Sequence, residues 1–119
     1  LYILDKNGME IGGKKYPGSD YKHDVKLPVT VVDEDHPITQ ELPKTFTLLD
    51  EWYGKVFIDG DVHALLKTSH PDSMPLLAWT NPYQQARVCL IQCGHDKHSY
   101  LDKNFRQLVI NAIRWADNQ

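Results

Sequence analysis

Apolar residues fall along this chain in short runs, broken by polar and glycine-rich stretches. The last segment has the clearest period. Phe105, Leu108, Val109, Ala112, Ile113 and Trp115 or Ala116 recur at helical spacing, with Arg106, Gln107, Asn111 and Arg114 on the other face. Asp102 stands where an N-cap belongs, so the pattern predicts a helix from about 103 to 116. KLPVTVV (26–32), VHALLKTS (62–69), LLAWT (76–80) and RVCLIQC (87–93) read as strands. NPYQQA joins the last two as a hairpin connection. Pro28 points to an edge or an early strand position. HPDSMP is a turn, and Thr39 is a candidate cap for a short turn before Leu42-Pro43. FTLLDEWYG fits a strand or one helical turn. Residues 1–24, with four glycines and one proline in GMEIGGKKYPGSDYKHD, read as a long loop. One amphipathic helix on about four strands covers only one sheet face, which implies a further half packed on the other.

Composition narrows the class. The chain has 119 residues, 41% hydrophobic and 24% charged, the range of one packed domain. Net charge is -3 with no basic stripe, which argues against a nucleic-acid partner. No apolar run approaches the roughly 20 residues of a membrane helix. LYILDKNG has neither a basic n-region nor an apolar h-region, so no signal peptide is read there. It does not begin with Met, so processing or truncation upstream is expected. Cys89 and Cys93, on one strand, would lie roughly 13 Å apart. A disulfide needs Cα atoms within about 7 Å, so both are expected to be free. Free thiols favour a cytoplasmic compartment, with the periplasm as the alternative.

Candidate chemistry gathers at three places. CGHDKHSYLD (93–102) puts Gly94, His95 and Asp96 between a strand and a helix, at the kind of edge where open α/β sheets bind ligands. A histidine beside a carboxylate suits an oriented base or a metal ligand. The competing reading is a polar loop with Asp96 capping a turn and His98 facing water. In DEWYG (50–54), acids beside aromatics suit sugar binding, since carboxylates accept from hydroxyls and aromatic faces cover apolar sugar edges. Strand alternation would send Asp50 and Glu51 to opposite faces, so at most one would serve a site. The competing reading is an aromatic core contact with one solvated acid. His36, in DHPIT, fits binding and turn stabilisation equally. His63 reads as structural or exposed, and His23 and His70 are weaker candidates. A metal site built from His95, His36 or His98 with a carboxylate ranks last, because no tight ligand spacing exists. No GxSxG, phosphate-loop or HExxH motif is present.

Taken in order, HPIT, ELP, DEWYG, LLKTSHPDSMPLLAWTNPY, GHD and YLDKNFRQLVINAIRWA resemble the C-terminal half of the trehalose-utilisation (ThuA-like) family. The likeness covers residues 26–117, with a looser match through GGK and His23. It implies a flavodoxin-like, doubly wound α/β sheet of the class I glutamine amidotransferase kind, with only its C-terminal part present. The N-terminal βαβ units and the turn that holds the amidotransferase nucleophile would lie upstream of Leu1. It also implies a bacterial role in trehalose or keto-sugar catabolism, either as a hydrolase- or isomerase-type enzyme or as a non-catalytic sugar-binding or assembly module. By the same resemblance, His95 and Asp96 match the GHD motif and are the catalytic candidates. His36, Glu51, Tyr53 and His23 are the substrate-binding candidates. No cofactor and no metal are expected. The expected partners are a small sugar, and either another copy of the chain or the missing half of the domain. Tyr83-Gln84-Gln85-Ala86-Arg87 departs from the family's glycine-rich hairpin, so a longer or differently turned connection is expected there.

Overall fold

The computed structural model describes residues 8–117, apart from 12, 17 and 59. Among the described residues, seven strands and two helices follow one another: β1 (Met9–Ile11), β2 (Lys14–Tyr16), β3 (Asp20–Val31), β4 (Thr45–Gly54), β5 (His63–Thr68), β6 (Leu76–Tyr83), β7 (Ala86–Ile91), α1 (Lys97–Leu101) and α2 (Lys103–Asp117). A 3-10 turn, Pro37–Thr39, stands between β3 and β4. β1 and β2 form a separate ribbon, and the other five strands make one sheet in the order β4-β3-β5-β6-β7. Every pairing among the described residues is antiparallel. The fold is therefore mixed α/β on an antiparallel sheet. The described residues do not themselves form the parallel, doubly wound sheet that the resemblance implied. The physical reason lies in the connections. β6 and β7 are joined by two residues, and parallel neighbours would need a crossover of a dozen or more. No helix of the described residues is long and apolar enough to cross a membrane.

β3 alternates as a half-buried strand should, with Leu27, Val29 and Val31 inward and Lys26 and Pro28 outward. Pro28 sits in the second strand of the sheet, yet it breaks no ladder there. β5 pairs with β3 only at Val29–Val31, so beside Pro28 the strand has one free side. β4 settles as a strand, although Asp50, Glu51 and Trp52 are buried in succession. That run is why alternation did not reveal it. The expected loop through residue 24 contains β1, β2 and the first residues of β3. Residues 1–7 of that loop lie outside the described residues.

Phe105, Leu108 and Ala112 of α2 join Leu48, Leu65, Leu66 and Leu77 in the core. Asp102 caps α2 through its Oδ1, which accepts from Asn104 N at 2.8 Å and Phe105 N at 3.0 Å. Asn111, assigned by spacing to the polar face, is buried. Its Nδ2 donates to the carbonyls of Ile38 at 3.1 Å and Gln40 at 2.7 Å, tying the 3-10 turn to α2. The β6–β7 turn is tight rather than long: Tyr83 pairs with Ala86, and Gln84 takes φ 55°.

Candidate active site

The site grows from the edge strand β4 and the corner after β7. At Gly94 the chain turns with φ 110°, a conformation open to glycine. A Cβ there would also meet Phe105 Cζ at 2.8 Å, so space and backbone both demand glycine. The corner is gripped by Asp50. Its Oδ2 accepts from Gly94 N at 2.8 Å, and its Oδ1 accepts from His95 N at 3.0 Å and Glu51 N at 2.8 Å. Asp50 is buried, and these three N–H groups are what satisfy it there.

Held this way, His95 turns its ring to the neighbouring residue of β4. His95 Nδ1 lies 2.5 Å from Oε2 of Glu51. The Tyr53 hydroxyl donates to the same oxygen at 2.8 Å. Glu51 is only 5% exposed, whereas the His95 side chain is 38% exposed, so a buried carboxylate steadies a ring that solvent reaches. His95 Nε2 has no hydrogen-bond partner among the described residues. The His23 ring stacks on His95, with centroids 5.5 Å apart and planes inclined by 18°. A bulge brings it there: Lys22 pairs with Trp52 and Val25 with Asp50, leaving His23 and Asp24 opposite Glu51 alone. Asp24 takes φ 58° in that bulge, and its Oδ2 lies 2.6 Å from His23 Nδ1.

Four of the six candidates therefore meet: His95, Glu51, Tyr53 and His23. Asp96 adjoins the corner but does not orient His95. It is the N-cap of α1, accepting from His98 N at 2.8 Å, with His98 Nδ1 3.0 Å away. These hydrogen bonds, the backbone one first, hold the Asp96 carboxyl below its usual range. A helix start needs such an acceptor, and that need fixes the side chain. His36 lies elsewhere, beyond the far end of β3. Its Nδ1 accepts from Ile38 N at 3.1 Å, capping the 3-10 turn, and its ring neighbours are His63 and Trp115, each 5.5 Å away. Of its two sequence readings, this geometry matches turn stabilisation. Asp24, Asp96 and His98 offer ligand atoms within 4.8 Å of one another, a cluster that sequence spacing did not indicate.

Burial pushes the Tyr53 hydroxyl well above its usual range, and the adjoining Glu51 adds to the shift. Burial also pushes the Cys93 thiol up to about 12, helped by the Asp50 charge, and the Cys89 thiol up to about 11. Both cysteines are free, and both stay protonated at neutral pH.

A family model described as trehalose utilisation (ThuA) matches residues 9–116. The chain belongs to the ThuA family. Its fold is similar to a ThuA-like protein from Parabacteroides merdae, with a TM-score of 0.72 and 20% identity over 98% of this chain and 47% of that one. A ThuA-like protein from Bacteroides uniformis gives a TM-score of 0.61 and 24% identity over 88% of this chain and 48% of that one. A cytoplasmic protein from Salmonella typhimurium gives 0.60 and 13% over 95% and 44%. At these identities the likeness is one of fold. This ThuA chain spans about half the length of the solved structures it matches. No curated protein matches it.

Proposed function

We propose that the corner of Glu51, Tyr53 and His95 binds a sugar and moves a proton at one of its hydroxyl or carbonyl groups, in the catabolism of trehalose or related keto-sugars. The observation that carries this reading is the contact between His95 Nδ1 and the buried Glu51 carboxylate. A carboxylate accepting from Nδ1–H fixes the ring's tautomer and leaves Nε2 as the atom that takes or gives the proton. Asp50 holds the backbone from which that ring projects, and the His23 ring limits its swing. Asp96 supports the corner by capping α1. The raised thiols of Cys89 and Cys93 argue against a covalent route through either, which favours acid–base chemistry.

The second reading is a module that binds the sugar at this corner while a partner enzyme performs the chemistry. It is favoured by the engagement of Glu51 Oε2 with both His95 and the Tyr53 hydroxyl, a set of groups that can recognise sugar hydroxyls without moving a proton. Calorimetry with trehalose and a keto-sugar, run beside a turnover assay on the same protein, separates the two. Turnover lost in folded His95→Ala supports the enzyme, and full turnover in that variant refutes it. Heat of binding with no turnover favours the module.

The doubly wound, amidotransferase-like sheet implied by the motifs belongs to this proposal as well. In a longer protein the antiparallel strands described here would extend such a sheet. A solved structure of a longer protein carrying this chain, with no parallel strands beside β3–β7, would exclude it.

A further inference from the structure

Next to the corner lies a cleft of about 470 Å³, walled by Tyr21, Tyr53, Val56, Trp79, Leu90 and Gln92, among others. Its volume falls within the ordinary range for small-molecule sites, roughly 300–1,000 Å³. The wall is mostly aromatic and aliphatic; its polar members are Gln92, Ser19 and Asp20, whose carboxylate already accepts from Tyr21 N and lies 3.8 Å from Lys55 Nζ. Among the described residues, Gln92 Nε2 is the one buried side-chain nitrogen or oxygen left without a hydrogen-bond partner. Such an orphan is unfavourable unless something else answers it. Tyr53 belongs to both places, since its ring lines the cleft while its hydroxyl reaches the oxygen of Glu51 that holds His95. Gln92 lies three residues before His95 on the same strand exit.

We infer that this cleft receives the apolar substituent of a glycoside, with Gln92 hydrogen-bonding an oxygen where the substituent meets the sugar. The inference rests on the sugar reading of the corner and extends it. A bare sugar has small apolar C–H faces but a rim of hydroxyls all round, and a wall this apolar would strip that rim of water without replacing it. An alkyl or aryl group fits that wall instead, and Tyr21, 66% exposed, adds an aromatic ring to it. The single amide then meets a single oxygen. If the amide is turned over, its carbonyl accepts from a ligand hydroxyl, so an oxygen function at the junction satisfies either orientation. The ligand class is amphiphilic: a hydroxylated ring at Glu51 and His95, with an apolar group beside Tyr53.

The test is calorimetric titration of the intact protein with phenyl α-glucopyranoside and methyl α-glucopyranoside. The phenyl compound is expected to bind about tenfold tighter or better, since each tenfold corresponds to one modest apolar contact. Gln92→Leu, which removes the orphan without opening a cavity, is expected to weaken the phenyl compound by about fivefold to tenfold. Tyr21→Ala, at an exposed position, is expected to lower the phenyl-over-methyl preference while the melting temperature holds. Equal affinities for the two glucosides would overturn the inference alone and leave the cleft to a protein segment. Unchanged phenyl binding in both variants would do the same. Failure of both glucosides to bind would overturn the sugar reading and this inference with it.

Discussion

The Oε2 atom of Glu51 lies 2.5 Å from His95 Nδ1 and 2.8 Å from the Tyr53 hydroxyl, so one carboxylate oxygen serves both side chains. The oxygen has little room for a third partner, and in the proposed role it holds the His95 ring by accepting from Nδ1–H. In Glu51→Gln the amide fills the same space, but it holds the ring less strongly and can present a donor to Nδ1. Turnover of the sugar substrate is expected to fall by roughly 10²-fold, the lower range for a positioned acid–base group. A circular dichroism spectrum matching the wild type would show that the fold survives. Wild-type turnover in this variant would remove Glu51 from the site.

Gly94→Ala meets two penalties. The residue occupies φ 110°, and its new methyl group would press on the Phe105 ring. Overpacking of this kind costs roughly 1–3 kcal/mol, and the left-handed backbone adds to it. Urea denaturation is expected to show that loss. An unchanged midpoint would mean that the corner is looser than its geometry indicates.

His36 makes stability depend on pH. Burial is the main reason its pKa falls below the usual 6.5; the nearby His63 charge lowers it further, and Asp33 partly offsets both. Its Nδ1 accepts from Ile38 N, so a proton on that atom breaks the cap. The unfolded chain therefore binds this proton more readily than the folded one. The contribution is complete above about pH 6.5 and is lost as the pH falls from there through the lowered folded value. Asp33 and Asp96, whose pKa values are lowered by hydrogen bonds, contribute to acid sensitivity only in the carboxylate range below it. Urea midpoints measured between pH 7.5 and 5.5 should drop less in His36→Asn, which caps without titrating. Equal drops in the two proteins would refute this role.

Gln84 carries φ 55° in a two-residue hairpin turn, where a side chain is strained and glycine is not. Gln84→Gly is expected to stabilise the protein by roughly 0.5–1 kcal/mol, net of glycine's greater freedom in the unfolded chain. A thermal melt should register this as a rise of about 2–5 °C. A fall would show that the side chain makes a contribution outweighing the strain.

Much of this architecture was legible where one local rule dominates. The 103–116 period and the Asp102 cap mark α2, because its apolar stripe and its first turn obey the same 3.6-residue geometry. The β6–β7 hairpin was legible from two apolar runs and the gap between them. β3 was only half legible, because Tyr21, Lys22, His23 and Asp24 are all exposed and the bulge interrupts their alternation. α1 was missed, since its five residues bury only Ser99. At the site, residue types singled out His95, Glu51, Tyr53 and His23, but not which acid meets His95. Asp96 is its neighbour in sequence, whereas Glu51 reaches it only because Asp50 fastens the corner to β4. His36 resembled a site residue because a histidine before proline suits binding and turn capping alike. Gln92 gave no signal, because an orphaned amide is visible only once its surroundings are packed.

The clasp between Asp50 and the amides of Gly94 and His95 joins positions 44 and 45 residues apart. The sheet closes loops of nearly the same span, Val29 with Thr68 of β5 among them, so the entropy of loop closure does not separate the two in time. The seat of the histidine and the seam between β3 and β5 would therefore form and open as one cooperative unit. Protection of the Gly94 and His95 amides from hydrogen exchange would follow that of the β3–β5 strands.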